Sequence, residues 1–218
     1  MTTTPETIRS SLEAYLTQRD REHAVAAGLD VLRSGDLSVV ELYDVLTALL
    51  AGIGESWQRG DVEVWEEHFA TGVVRTIVES AHPFVSAQAA EHNGLTIVLA
   101  TPPDEYHDLG LRMLADRLTL AGWKAHFVGA NVPAEQLIEA CRATSADAAV
   151  ISTSTHFHRL SLHAYVADVR AALPRLRVWV GGAAFATDTH DWPAESILRC
   201  EDIESLASSL RSESGEVV

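Results

Sequence analysis

Leu95-Thr96-Ile97-Val98-Leu99-Ala100-Thr101 is a continuous apolar run, and Pro102-Pro103-Asp104-Glu105-Tyr106-His107-Asp108-Leu109-Gly110 follows it as a proline-broken loop. A run of this kind reads as a strand buried on both faces. From here onward similar runs alternate with helical stretches. The pattern predicts strands over 95–101, 124–129, 148–152 and 178–181, with a short fifth over 197–200. Helices are expected over 107–121, 133–143, 160–173 and 203–211, and a frayed tail over 212–218. Apolar strands separated by helices indicate a parallel sheet covered on both faces. Ligands of such sheets bind beyond the carboxyl ends of the strands, where His107, Ser152 and Gly181 fall.

Upstream the text changes character. Residues 5 to about 86 read as helix after helix. Thr4-Pro5 makes a cap with proline at the first helical position. Ile8, Leu12, Tyr15 and Leu16 recur at helical spacing, and Ala24, Leu29 and Leu32 mark a second helix that Ser34-Gly35-Asp36 ends. A third is expected over 38–58, then the turn Arg59-Gly60-Asp61, then a fourth through Val64, His68, Val73 and Ile77 towards Ala81. A polar linker follows near residues 87–94. The expected organisation is therefore α plus α/β. A four-helix bundle over 1–88 precedes a Rossmann-like, flavodoxin-like domain with five parallel strands over 93–212.

Composition narrows the possible roles. At 218 residues the chain can bury a sizeable core, and 47% hydrophobic with 22% charged residues is ordinary for a globular protein. No apolar run approaches the ~20 residues of a membrane helix, and the polar start lacks a signal peptide's regions, so a cytoplasmic location and no membrane partner are expected. Cys141 and Cys200 stand alone and give neither a disulfide framework nor a thiolate metal site. The net charge of −15, with Lys124 as the one lysine, repels phosphate backbones and speaks against direct nucleic-acid binding.

The chemistry-bearing residues fall at fixed intervals. Glu105-Tyr106-His107-Asp108-Leu109-Gly110 is followed after forty-one residues by Ser152-Thr153-Ser154, and after a further twenty-six by Gly181-Gly182. Taken alone, each element has a plain structural reading. Asp104 or Glu105 could cap a helix beside a solvated His107, the hydroxyls at 152–154 could cap the next helix, and Gly181-Gly182 could be a turn. Together they resemble the cobalamin-binding domain, whose pattern is D-x-H-x-x-G, S-x-L and G-G. Two positions depart from it: Glu105 stands for the usual Asp and Ser154 for the usual Leu. The resemblance implies that His107 ligates cobalt from below and that Glu105, with Asp108, Leu109 and Gly110 beside it, completes the loop. A neutral imidazole suits such a metal, and a carboxylate on its other nitrogen fixes the tautomer. It further implies that Ser152, Ser154, Gly181 and Gly182 line a slot for the corrinoid's nucleotide tail, where small residues are needed for close approach.

The helical half carries a second resemblance. Trp57, nine residues, then Glu67-His68 gives W-x9-E-H, set among Gly54-Glu55-Ser56, Arg59-Gly60 and Phe69-Ala70-Thr71. It is similar to the bundle of CarH-type and LitR-type adenosylcobalamin photoreceptors. That resemblance implies that Trp57, Val64, Glu67 and His68 meet the adenosyl group on the upper face. The plain reading makes Trp57 a core residue and Glu67-His68 an exposed pair. In those photoreceptors a histidine directly after the tryptophan takes the adenosyl group's place after light. Here that position is Gln58, whose amide is a poor cobalt ligand, so His68 is the candidate upper ligand, with His156 and His158 more distant. The photoreceptors also carry an N-terminal helix-turn-helix domain, for which this chain leaves no room ahead of the bundle.

These resemblances imply an adenosylcobalamin-binding sensory or regulatory protein, responsive to light through Co–C cleavage and signalling to a regulatory protein partner in transcription control. They imply no catalytic residues and are compatible with a homo-oligomer. The alternative is a corrinoid carrier of a methyltransferase system, which also joins a helical bundle to this domain. A bundle with a flavodoxin-like domain for some other ligand is the plainest third reading.

Overall fold

The computed structural model describes residues 3–186, 192–198 and 206. The chain divides into two compact units, Met1–Gln88 and Ala89–Val218. The expected tail over 212–218 and, Leu206 apart, the expected helix over 203–211 lie outside the described residues.

The first unit is four helices. Thr4 caps α1 (Pro5–Thr17) by accepting from the Thr7 N–H, and Asp20 does the same for α2 (Arg21–Ser34) from His23. α3 (Val39–Arg59) opens with a reciprocal capping box between Ser38 and Glu41, which satisfies two backbone donors at once. α1 and α4 (Val64–Gln88) each pack on both α2 and α3, which makes a closed square of helices. Its core includes Leu12, Leu42, Leu46 and Ile77, all essentially without exposure. α4 runs seven residues beyond the expected end at Ala81, straight through Pro83. Proline withholds an N–H from the helix ladder, but the buried stripe Ile77, Val78, Ala81 and Val85 continues past it. Packing overrides the local break.

The second unit is a parallel sheet with helices on both faces. Its strands are β1 (Thr96–Ala100), β2 (Lys124–Gly129), β3 (Ala148–Ser152) and β4 (Arg177–Gly181), in the order β2-β1-β3-β4. The helices are α5 (Leu109–Leu120), α6 (Ala134–Thr144) and α7 (His156–Ala172). Side chains alternate along β1. Val98 and Ala100 join a core with Leu137, Leu162 and Val166 of α6 and α7, while Ile97 and Leu99 join another with Leu111 and Leu118 of α5. The chain leaves β1 towards β2 on one side and later returns to β3 on the other. Crossovers diverge between β1 and β3, and a crevice opens there at the strand ends.

Further boundaries differ from expectation. Among the described residues four strands form where five were expected. Ile197 makes a single parallel bridge to Val180, and Leu198 donates to the Val180 carbonyl at 2.8 Å. Pro193 and the one-turn 3₁₀ helix Ala194–Ser196 leave no extended residues ahead of that bridge, and 199–200 lie outside the described residues. α7 begins at His156 rather than Leu160. No described helix is long and apolar enough to cross a membrane.

Ile77→Ala should cost about 2–5 kcal/mol through lost burial and the cavity left behind. Urea unfolding should show a lower midpoint with an unchanged slope.

Candidate functional site

The backbone places His107 before any side-chain chemistry begins. Thr101, fully buried at the end of β1, donates its hydroxyl to the Glu105 carbonyl at 2.6 Å. That hydroxyl also accepts from the Asn131 N–H at 3.0 Å, and Asn131 Oδ1 accepts the Asp104 N–H at 3.0 Å. The Val132 N–H donates to the Thr101 carbonyl at 3.0 Å. The loop bearing the histidine is thus latched to the loop after β2. Asp104 and Asn131 both take positive φ, at 65° and 56°, conformations that Asn and Asp tolerate best.

Glu105 is fully buried, so its carboxylate must find donors inside the protein. Oε1 accepts from the His107 N–H at 3.0 Å and lies 2.6 Å from His107 Nδ1. Oε2 accepts from the Ser154 N–H and from the Ser154 hydroxyl, both at 2.7 Å. Burial pushes the Glu105 carboxyl's pKa up, but the bonds from Ser154 and His107 outweigh burial and hold it at about 2. The group is therefore ionised and can only accept. In the neutral ring the proton then sits on His107 Nδ1, which leaves the Nε2 lone pair for a ligand. The ring is 74% exposed. An exposed imidazole with a carboxylate on one nitrogen and a lone pair on the other is prepared for a metal. Because the His107 N–H turns back to Glu105, α5 starts at Leu109 and not at His107.

Ser152 and the glycines meet at the next strand ends. Ser152 pairs with Gly181 in the register of β3 and β4. A Cβ on Gly182 would lie 2.3 Å from the Thr153 carbonyl oxygen and 2.6 Å from Ser152 Oγ, and its φ of +99° is itself a glycine conformation. Gly110 is different. A Cβ there would meet no protein atom within 4 Å. The first turn of α5 therefore presents bare backbone at the crevice. Asp108 stands at the N-cap of α5 without a side-chain cap bond, and Leu109 is buried. Thr153 Oγ1 is buried with no hydrogen-bond partner among the described residues.

In the first unit the predicted residues bracket the turn between α3 and α4. Trp57 is 46% exposed and Val64 51%, so neither is a core residue. Glu67 Oε2 lies 2.5 Å from His68 Nδ1, and Glu67 Oε1 accepts from the Thr71 hydroxyl at 2.7 Å. Gln58 is exposed. Sequence reasoning missed Trp65, which is 54% exposed beneath the Arg19 guanidinium at 5.1 Å. It also missed the latch residues Thr101 and Asn131. The left-handed tendency of Asn in Gly129-Ala130-Asn131 was the one available signal.

Residues 95–201 match the B12 binding domain model, and residues 8–81 match a second B12 binding domain model. The chain belongs to the B12-binding domain family. It is 34% identical over 182 residues to the HTH-type transcriptional repressor CarH of Myxococcus xanthus, covering 82% of this chain and 57% of that protein. The chain thus spans little more than half the length of that relative. It is also 24% identical over 192 residues to trimethylamine corrinoid protein 1 of Methanosarcina acetivorans, covering 86% and 87% of the two chains. The structure of the Methanosarcina barkeri monomethylamine corrinoid protein shares the fold, with a TM-score of 0.79 at 13% identity over 95% of this chain and 100% of that one.

The described residues suit a cobalamin. No cluster of three or more His, Cys, Asp or Glu among them could hold a bare metal ion. A corrinoid brings its own ring nitrogens and asks the protein for one imidazole, which His107 Nε2 can give. Uncovered Gly110 and the hydroxyls at 152–153 offer room and hydrogen bonds for a long polar tail.

The depressed pKa of Glu105 makes a pH prediction for the apoprotein. A carboxyl lowered from 4.5 to about 2 contributes roughly 3 kcal/mol that is present above pH 4.5 and is lost as pH falls towards 2. Urea unfolding at stepped pH should show this loss, and Glu105→Gln should remove that part of the slope.

Proposed function

We propose that the chain is an adenosylcobalamin-binding regulatory protein that responds to light and signals to a partner protein, not an enzyme. The observation that carries the reading is that the chain holds both an exposed Trp57–His68 segment in its first unit and a prepared His107 in its second. Trp57, Val64 and Trp65 are each about half exposed around one turn, and the flat face of adenosine is a group that such apolar surface can cover. The match to the CarH repressor runs through this segment and through the sheet unit.

In this reading His107 Nε2 is the lower cobalt ligand, held by Glu105. Ser152, Ser154, Gly110, Gly181 and Gly182 receive the nucleotide tail, with Asp108 and Leu109 completing the His107 loop. Trp57 and Val64 pack on the adenosyl side, where Glu67 can accept from ribose hydroxyls. Bound adenosylcobalamin supplies a Co–C bond that light can cleave. The chain's task is to hold the group dry in the dark and to change an interface afterwards. Gln58 cannot replace the adenosyl group with an imidazole. His68 can, because its ring is 74% exposed with Glu67 on Nδ1. The charge of −15 fits a protein partner, in the cytoplasm, and no direct contact with nucleic acid by this chain. Homo-oligomers are compatible with the same scheme.

A carrier role in methyl transfer is the second reading. It is favoured by the even coverage of the trimethylamine corrinoid protein, 87% of whose length this chain matches. A dark titration separates the two. A sensor should bind adenosylcobalamin at least about tenfold more tightly than methylcobalamin, and Trp57→Ala should erase the preference. Green light should then change the absorbance spectrum and the gel-filtration volume, and His68→Ala should leave only the aquo form if His68 is recruited. Equal affinities, or a light-exposed sample identical to the dark one, sink the sensor reading.

A further inference from the structure

We infer that Arg159 is a positioning residue of the tail slot, whose guanidinium fixes the loop after β4 in the conformation that lets Gly182 lie against Ser152. The inference rests on the reading of Ser152, Gly181 and Gly182 as the slot for a nucleotide tail, and it adds the group that holds that slot in shape. Arg159 lies at the start of α7 and is among the largest fully buried side chains. A guanidinium stays charged at any ordinary pH, so its burial is costly unless acceptors meet it. One acceptor is the Ala184 carbonyl, which takes a hydrogen bond from Arg159 Nη1 at 3.1 Å. The guanidinium carbon also lies 5.9 Å from the centre of the Phe185 ring, within cation–π range. Both contacts are with the one-turn 3₁₀ helix Ala183–Phe185, which directly follows Gly182. A methionine would fill the same space but hold no carbonyl.

The loop after β4 has no room for a small error. Gly182 lies so close to the end of β3 that a Cβ would stand 2.3 Å from the Thr153 carbonyl oxygen and 2.6 Å from Ser152 Oγ. The same Thr153 carbonyl accepts the Ala184 N–H at 3.2 Å. Ala184 is thus held through both backbone groups, its N–H by Thr153 and its carbonyl by Arg159. One turn further along α7, His163 stacks on Trp192 at 4.1 Å, and Trp192 meets Phe185 edge-on at 5.8 Å. The same face of α7 therefore grips the segment after β4 at a second point. Sheet alternation sets Arg159 apart from the slot itself. Val150 and Trp179 pack with α5, whereas Ile151 and Val180 pack with α7 beside Ala184 and Phe185. Ser152 and Gly181 consequently face α5, and Arg159 works from the opposite side of the sheet. It acts through the loop and not by touching the tail.

Titrating the full chain with two corrinoids tests this: hydroxocobalamin, and cobinamide, which lacks the nucleotide tail but still offers cobalt to His107. Equilibrium dialysis reports affinity, and circular dichroism with urea unfolding of the apoproteins reports folding. Wild type should bind hydroxocobalamin at least about tenfold more tightly than cobinamide. Gly182→Ala should abolish that preference, because its Cβ has no room. Arg159→Met should weaken hydroxocobalamin binding about tenfold, as loss of a charge-assisted hydrogen bond does, and leave cobinamide affinity within about twofold of wild type. Arg159→Lys keeps a charge and a donor without the flat guanidinium face, and should lose less. An Arg159→Met protein that binds hydroxocobalamin like wild type, or that loses both corrinoids equally, overturns the positioning role while leaving the slot. A wild type without preference, or a Gly182→Ala variant that retains it, overturns the slot reading and this inference with it. If Arg159→Met fails to fold, Arg159→Lys decides alone. A loss confined to hydroxocobalamin then supports the inference, and an equal loss of both or no loss overturns it.

Discussion

A carboxylate with no solvent exposure cannot sit in a protein unless donors surround it, and the second unit is organised around meeting that demand at Glu105. Its donors come from two segments far apart in sequence, the His107 backbone and ring on one side and Ser154 on the other. Its backbone is held as well, because its carbonyl accepts from the Thr101 hydroxyl and from the Asn131 N–H. Three loops, after β1, β2 and β3, are thereby fixed through one residue. Removing a single donor would leave the charge buried and short of partners, which costs more than the bond itself contributes. A rigid frame is what a ligand histidine needs when its ring is exposed and solvent could otherwise reorient it.

The sheet makes this meeting possible. With the order β2-β1-β3-β4, β1 lies between β2 and β3, so the loops after all three strands emerge side by side. Parallel pairing sets the ends at one level, as Ala100 opposite Gly129 and Ile151 shows. The central strands β1 and β3 are almost wholly buried and apolar because both faces are covered, whereas the edge strand β2 carries Lys124 and His126, so the chemistry of the site falls to the loops at the strand ends. The interior supplies position, and the loops supply donors.

How far the sequence revealed this depends on range. The apolar runs at 95–101 and 148–152 announced a parallel sheet, and the spacing of His107, Ser152 and Gly181 placed the candidate site at its strand ends. The end of α4 was not legible, because Pro83 is a local stop signal that the long buried stripe overrules. Of the expected fifth strand only Ile197 and Leu198 lie among the described residues, and there Ile197 makes one bridge to Val180. The bond from Ser154 to Glu105 was invisible for a different reason. It depends on the register between β1 and β3, which no local pattern encodes. That Ser154 departs from the family was plain, but its reason needed the fold. Trp57 likewise could not be told from a core residue, because an amphipathic helix end carries tryptophan on either face.

The two histidine–carboxylate pairs show how one motif can be set for different duties. His107 and His68 each have a carboxylate on Nδ1 and a ring 74% exposed, so each can present Nε2. Their anchors differ. Glu105 is wholly buried and its oxygens are shared with Ser154 and the His107 backbone, whereas the Glu67 side chain is 29% exposed and also accepts from the Thr71 hydroxyl on its own helix. Water competes for the Glu67 contact and weakens it, as it does for exposed ion pairs in general. His107 is therefore held in one orientation, while His68 can leave its partner at small cost. A permanent ligand calls for the first arrangement. In the light-responsive reading proposed above, a ligand that arrives only after the cofactor changes calls for the second, and the looser hold on His68 is what that reading requires of a chain with Gln58 in place of an imidazole.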